Sequence, residues 1–147
     1  MVSESPAVPE ERPPKPRPAP HPDPDSAVYW SAAHDGRLVV QRCDSCGAKQ
    51  LYPRDHCVVC RGPVSWIDAS GEATVYSFTV IRQNHSRPFR DLIPYVVALV
   101  DLKEGPRVMT NIVDCDPDTV HIGMKVRATF ETVSEEAGIA LFTPVTS

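Results

Sequence analysis

No apolar run in the chain approaches the roughly 20 residues that a membrane-spanning helix requires. The first residues also lack the charged-then-apolar pattern of a secretory leader. Both absences lead us to expect a cytoplasmic protein with no membrane contact. Excess positive charge is missing too: the 147 residues carry a formal net charge of −4. That balance argues against bulk nucleic-acid binding, which favours strongly basic domains. There is no internal repeat. Nor is there a recognisable catalytic set. No Ser/His/Asp order stands out, no glycine-rich phosphate loop follows a strand, and no spaced carboxylate pair marks a pocket. The residues argue for binding over catalysis, and the chain alone is not expected to be an enzyme.

What is present begins with proline. Nine of the sixteen prolines lie in residues 1–24. Nothing apolar recurs there at period 2 or 3.6, so this segment is expected to be a disordered tail of polyproline character. Residues 25–36 read as a short helix, with Asp25 or Ser26 as N-cap and Gly36 as the stop. Val28, Tyr29, Ala32 and Ala33 would share one face. Residues 37–42 read as a strand leading into a cysteine pair.

From residue 65 onward the pattern is β. Residues 72–83 alternate, with Tyr76, Phe78 and Val80 on one side and Val75, Ser77, Thr79 and Ile81 on the other. Residues 94–102 form a near-continuous apolar run, and 107–114 a third strand. Residues 125–133 alternate again, with Val126, Ala128, Phe130 and Thr132 facing inward. Residues 138–145 make a fifth strand, and Pro144 marks an edge or an end. Asp116-Pro117-Asp118 opens a helical turn between the third and fourth strands. Five strands with that turn give the order of an OB-type barrel. The expected fold is therefore mainly β: tail 1–24, helix 25–36, a rubredoxin-like zinc ribbon over 37–70 and a five-stranded OB-fold over 71–147.

Four of the five cysteines fall in two pairs, Cys43-x2-Cys46 and Cys57-x2-Cys60, ten residues apart. In a cytosolic chain such pairs read as metal ligands rather than disulfides. Gly47 supplies the permissive backbone of a tight knuckle. Four thiolates favour tetrahedral Zn²⁺, and with every position filled by protein the site is structural. Iron can take the same ligands. A redox reading would need a βαβ context that is absent. His56 reads as a solvated loop residue and Cys115 as a small buried one rather than a nucleophile.

These segments resemble a known family, the zinc-ribbon plus OB-fold proteins associated with acyl-CoA enzymes, catalogued as domain of unknown function thirty-five. The resemblance is carried by Leu38-Val39-Val40-Gln41-Arg42-Cys43-Asp44-Ser45-Cys46-Gly47 and by Tyr52-Pro53-Arg54. It continues in Pro94-Tyr95-Val96-Val97-Ala98-Leu99-Val100, Gly105-Pro106-Arg107 and Ile122-Gly123-Met124-Lys125-Val126. One departure is visible: the family's second knuckle has proline after its first cysteine and glycine after its second, where this chain has Val58 and Arg61. The resemblance implies an accessory subunit that pairs with sterol-carrier-type thiolases or with hot-dog-fold enoyl-CoA hydratases. The partner then holds the catalytic residues, and the small subunit stabilises it and lines the acyl-CoA path. Partners include thiolases, acyltransferases and retro-aldolases acting on steroid side-chain CoA thioesters.

One segment fits that role on its own chemistry. Arg82, His85, Arg87 and Arg90 face only Asp91 between residues 82 and 93, with Phe89, Leu92 and Ile93 interleaved. Arginine forks suit the phosphates of CoA, and an aromatic ring suits its adenine. The same set also suits a protein partner, or is an ordinary solvated loop. The ribbon is locally basic as well, with five Lys/Arg and two Asp over residues 37–63. The competing function is a nucleic-acid-binding module, since ribbons and OB barrels both bind nucleic acids. It expects a basic groove with aromatics on the second and third barrel strands, where Tyr95 stands alone.

Overall fold

The computed structural model describes residues 17–145. One helix of useful length comes first, α1 (Ala27–His34). Ser26 stands at its N-cap without a side-chain cap bond. Asp23 does the capping instead, its Oδ1 accepting from the Ser26 N–H at 2.8 Å. Gly36 ends the helix at φ 77°. Its N–H bonds back to Ala33 and that of Arg37 to Ala32, the paired closure that a left-handed residue permits. Ala32 and Ala33 are buried, whereas Val28 is 46% exposed and lies off the packed face.

The ribbon follows: β1 (Val39–Cys43), β2 (Lys49–Gln50) and β3 (Val64–Asp68), an antiparallel sheet in the order β2-β1-β3. The barrel strands are β4 (Glu72–Ile81), β5 (Tyr95–Leu102), β6 (Arg107–Ile112), β7 (Lys125–Thr132) and β8 (Gly138–Pro144). They close in the order β4-β5-β6-β8-β7, with β7 returning to β4. All pairings are antiparallel except β6 with β8, which meet at Ile112 and Phe142. The chain is thus mainly β, with an N-terminal helix, a four-cysteine ribbon and a closed five-stranded barrel. A 3₁₀ turn, Pro117–Thr119, separates β6 from β7, capped by the Asp116 side chain on the Asp118 N–H at 2.9 Å.

Two local readings are corrected. In β4 the pairing register shifts between Val75 and Ser77, leaving Tyr76 as an extra residue. This bulge turns Tyr76 outward, under the Arg107 guanidinium at 3.3 Å. Val75 goes to the core instead, on the same side as Phe78 and Val80. Simple alternation had split these residues the other way, because an unpaired residue inverts the parity of everything before it. In β7, Val126 is buried but Thr132 is exposed, since the strand's last turn leaves the core.

Phe142, Val75, Val96, Val100 and Val126 are almost wholly buried and form the barrel's centre. Leu38 and Val40 join the same cluster from the ribbon side. One hydrophobic core therefore spans ribbon and barrel. Gly138, at the start of β8, lets α1 lie directly on the barrel. A Cβ there would meet the Ala33 carbonyl and the His34 nitrogen at 2.6 Å. Of the segment expected to be disordered, residues 1–16 lie outside the described residues. Within residues 17–24, Arg17 lies on the barrel, beside Asn111 at 3.2 Å and Glu131 at 3.3 Å, while residues 21–24 are exposed.

Candidate metal centre and adjoining surfaces

The two cysteine pairs sit on matched knuckles. Cys43 ends β1, and the chain turns so that the N–H groups of Ser45 and Cys46 both point at its sulfur, at 3.3 Å. The turn closes when the Gly47 N–H reaches the Cys43 carbonyl at 3.1 Å, with Gly47 at φ 76°. The second knuckle repeats the plan. The Val59 N–H points at Cys57 Sγ at 3.4 Å, and the Arg61 N–H closes on the Cys57 carbonyl at 2.9 Å. Arg61 takes the left-handed conformation, φ 64°, that Gly47 takes in the first knuckle. The departure at Arg61 therefore leaves the knuckle intact and places a side chain where glycine is the relaxed choice. Gly62 beside it is tightly held, since a Cβ would meet Ser45 Oγ at 2.8 Å and Cys43 Sγ at 3.3 Å.

The four sulfurs converge. All lie within 4.8 Å of one another, with Cys43 to Cys60 at 3.4 Å and Cys46 to Cys57 at 3.7 Å. A tetrahedral ion with bonds of about 2.3 Å sets its sulfurs about 3.8 Å apart. The donor set fits such an ion. Cys43 and Cys57 are buried and Cys46 and Cys60 exposed, so each knuckle contributes one inner and one outer ligand. The electrostatics agree. The Cys46 and Ser45 N–H groups overcome burial and hold the Cys43 thiol down to about 6. The Cys60 and Val59 N–H groups lower Cys57 as well. At Cys60 the Gly62 N–H acts downward, but the Cys43 and Cys46 sulfurs and burial drive its thiol up to about 12. Four thiolates in one shell repel, and a central cation is what lets all four ionise together.

Behind the knuckles lies a polar clamp that the sequence did not reveal. Gln41 and Gln50 are buried, and the Gln50 amide donates to Gln41 Oε1 at 2.8 Å. Gln41 also accepts from the Arg54 N–H at 2.9 Å and donates to the Arg54 carbonyl at 2.8 Å. Gln50 donates to the His56 carbonyl at 3.1 Å and accepts from the Val58 N–H at 3.0 Å. Every amide atom is used. The pair ties β1 and β2 to the loop that delivers Cys57. His56 itself turns outward to Asp55 and takes no part in the sulfur cluster. Cys115 is half-buried, and desolvation raises its thiol above the usual range.

The basic loop is only partly gathered. Arg82 is engaged with Asp118 at 3.0 Å, and His85 with Gln83 at 3.0 Å. Arg87, Phe89 and Arg90 share a single helical turn, α2 (Arg87–Arg90). Arg87 and Arg90 are exposed and make no ion pair among the described residues. Phe89 turns inward, its ring 6.1 Å from that of Tyr95. It enters an aromatic groove of about 410 Å³ between α1, the ribbon and the outer face of the barrel. Tyr29 and Trp30 line it from α1, Tyr52 and Pro53 from the ribbon, Tyr95 and Val97 from β5, and Met109 from β6. The Tyr52 hydroxyl accepts from the Met109 N–H at 3.0 Å and so pins the ribbon loop to β6. No sequence pattern exposes such a groove, because its walls come from segments far apart along the chain.

Residues 30–64 match the family model of the ChsH2 rubredoxin-like zinc ribbon domain, and residues 66–131 that of the ChsH2 C-terminal OB-fold domain. A DUF35 domain-containing scaffold protein of Methanothermobacter thermautotrophicus is 41% identical over 101 residues, which are 67% of this chain and 75% of that protein. The chain belongs to the DUF35 family. This DUF35 chain also superposes on a chain of the solved Ltp2-ChsH2(DUF35) aldolase with a TM-score of 0.77 and 35% identity. The match covers 86% of this chain and 98% of that one. The 3-oxo-4,17-pregnadiene-20-carboxyl-CoA hydratase alpha subunit of Mycobacterium tuberculosis is 33% identical over 129 residues, 84% of this chain. The DUF35 chain spans only 39% of that subunit, and 42% of a probable enoyl-CoA hydratase alpha subunit of Thermomonospora curvata.

Among the described residues, no helix is long and apolar enough to cross a membrane.

Proposed function

We propose that this DUF35 chain is a non-catalytic subunit of an acyl-CoA-processing complex, held to a thiolase-like enzyme of the sterol-carrier type. Its ribbon carries one structural Zn²⁺ on Cys43, Cys46, Cys57 and Cys60. The observation that carries the reading is the likeness to nearly the whole of one chain of the Ltp2-ChsH2(DUF35) aldolase. Aldolase-type cleavage of a carbon–carbon bond is the reaction class that this likeness favours. A steroid side-chain CoA thioester is the substrate class we read alongside the pregnadiene-carboxyl-CoA hydratase relative. In this reading the chain stabilises its partner and lines the acyl-CoA path. Arg87 and Arg90 would face the CoA phosphates, supported by their exposure and by the absence of an ion-pair partner among the described residues.

Co-expression with a thiolase-like protein tests the proposal. The isolated chain should turn over no acyl-CoA thioester, while the pair should co-purify and the partner gain solubility or activity. Replacing Arg87 and Arg90 together by alanine should raise KM for the thioester more than it lowers kcat, because uniform binding acts on KM. Robust turnover by the chain alone would overturn the reading.

A second reading, a hydratase partner of hot-dog fold, is favoured by the two hydratase alpha subunits among the relatives. It predicts hydration of an enoyl-CoA by the complex in place of carbon–carbon cleavage. Against the nucleic-acid alternative stands the charge: the chain carries a formal net charge of −4, where such binding expects a basic groove.

A further inference from the structure

The aromatic groove already has something at its rim. The Arg17 side chain is only 17% exposed, although it belongs to the proline-rich segment. Its guanidinium touches three elements at once. One nitrogen donates to Asn111 Oδ1 on β6 at 3.2 Å, another meets Glu131 on β7 at 3.3 Å, and the group lies 5.8 Å from the Phe89 ring centre. In the barrel β8 runs between β6 and β7, so Arg17 bridges across β8. Asn111 is held for this contact. Its amide nitrogen donates to the Val96 carbonyl at 2.8 Å, which leaves the oxygen to face Arg17. The following residues stay against the surface: Ala19 and Pro20 are half-buried while Pro18 is exposed.

Aromatic-lined grooves are the usual receptors of proline-rich segments, whose stiff extended form loses little entropy on docking. Tyr29, Trp30, Tyr52, Phe89 and Tyr95 give this groove that lining. Five further prolines precede Arg17 in the chain. We propose that the groove is a seat for the chain's own proline-rich arm and that Arg17 is the latch that holds it there. The occupant is this arm, in cis. The inference is independent of the metal and of the thiolase-like partner.

The test uses the full chain and a synthetic peptide of residues 13–24, titrated by calorimetry. In the natural chain the arm competes with the peptide. In Arg17→Ala the arm is released, and apparent affinity rises by the inverse of the fraction of groove left free, about tenfold for an arm seated nine-tenths of the time. Arg17→Lys keeps the charge but not the fork, and should fall between. Adding Glu131→Gln to Arg17→Ala should weaken the peptide again, since the peptide's own Arg17 needs that carboxylate. A peptide carrying Arg17→Ala should bind poorly to every chain. Equal affinity for the natural and Arg17→Ala chains would overturn the proposal. So would a lack of saturable binding to Arg17→Ala, or tight binding of the altered peptide. A circular-dichroism spectrum of Arg17→Ala that matches the natural chain's would show that its gain is not a folding defect.

Discussion

At the scale of single residues the ribbon is held by geometry that one substitution can relax or break. Arg61 sits at φ 64° in a place equivalent to Gly47. A side chain in that region costs roughly 1–2 kcal/mol, part of which glycine gives back as unfolded-state entropy. Arg61→Gly should therefore stabilise the metal-loaded chain by about 0.5–1 kcal/mol, read as a raised midpoint in denaturant. A lowered midpoint would mean that the Arg61 side chain makes a stabilising contact that outweighs its strain. The glutamine clamp behaves oppositely. Gln50→Leu strands the Val58 N–H and the His56 carbonyl in a part-buried setting, at up to about 1–3 kcal/mol for each group left unpaired and less where water reaches it. Gln41→Leu similarly strands both polar groups of Arg54. Because the two amides also bond to each other, the double variant should lose less than the sum of the singles. Strict additivity in denaturant melts would show that the pair does not act as a unit.

At the scale of elements, α1 depends on one missing methyl group. The backbone atoms that a Cβ on Gly138 would meet at 2.6 Å belong to Ala33 and His34 and cannot swing away. Gly138→Ala should cost about 1–3 kcal/mol, as overpacking does, and disturb the near-ultraviolet dichroism of Trp30. Trimming Ala33 to glycine should not rescue it, since the clash is with main chain. Rescue by that second change would place the conflict in the side chain instead. Elements of this kind mark the limit of what the sequence discloses. The four cysteines, the order of five strands and the short helix were legible, because ligand spacing and period-2 alternation are local signals. The bulge at Tyr76 was not, since nothing in the residues of β4 announces an extra unpaired residue. Val28 was placed on the buried face by helical period alone, whereas packing on β8 selects Ala32 and Ala33. The glutamine clamp and the aromatic groove were invisible for a further reason. Each is assembled from residues whose nearness is a product of the fold, such as Tyr52 on Met109, 57 positions apart.

At the scale of the whole molecule the ribbon and barrel share their interior. Leu38 and Val40 of the ribbon side lie in one cluster with Val75, Val126 and Phe142 of the barrel. Structural zinc in small peptides contributes on the order of 10–16 kcal/mol of apparent binding free energy near neutral pH. Removing the ion should therefore unfold the ribbon tip outright. The shared core carries the loss further. Val40 is fully buried and Leu38 nearly so, and a loosened β1 withdraws both from the barrel's base. Burying each such side chain is worth about 1.5–3 kcal/mol, and in a domain of this size each kcal/mol moves the midpoint by roughly 2–8 °C. The metal-loaded chain should thus melt in one transition. After chelation, or in Cys43→Ser or Cys60→Ser, the barrel should survive but melt at least several degrees lower. Cys115→Ser should leave metal content unchanged, since that thiol lies outside the sulfur cluster. Amide exchange at Val75, Val126 and Phe142 distinguishes shared from separate cores. If the ribbon and barrel fold independently, chelation leaves exchange at those three barrel positions untouched; if they share a core, protection there falls together with the ribbon's.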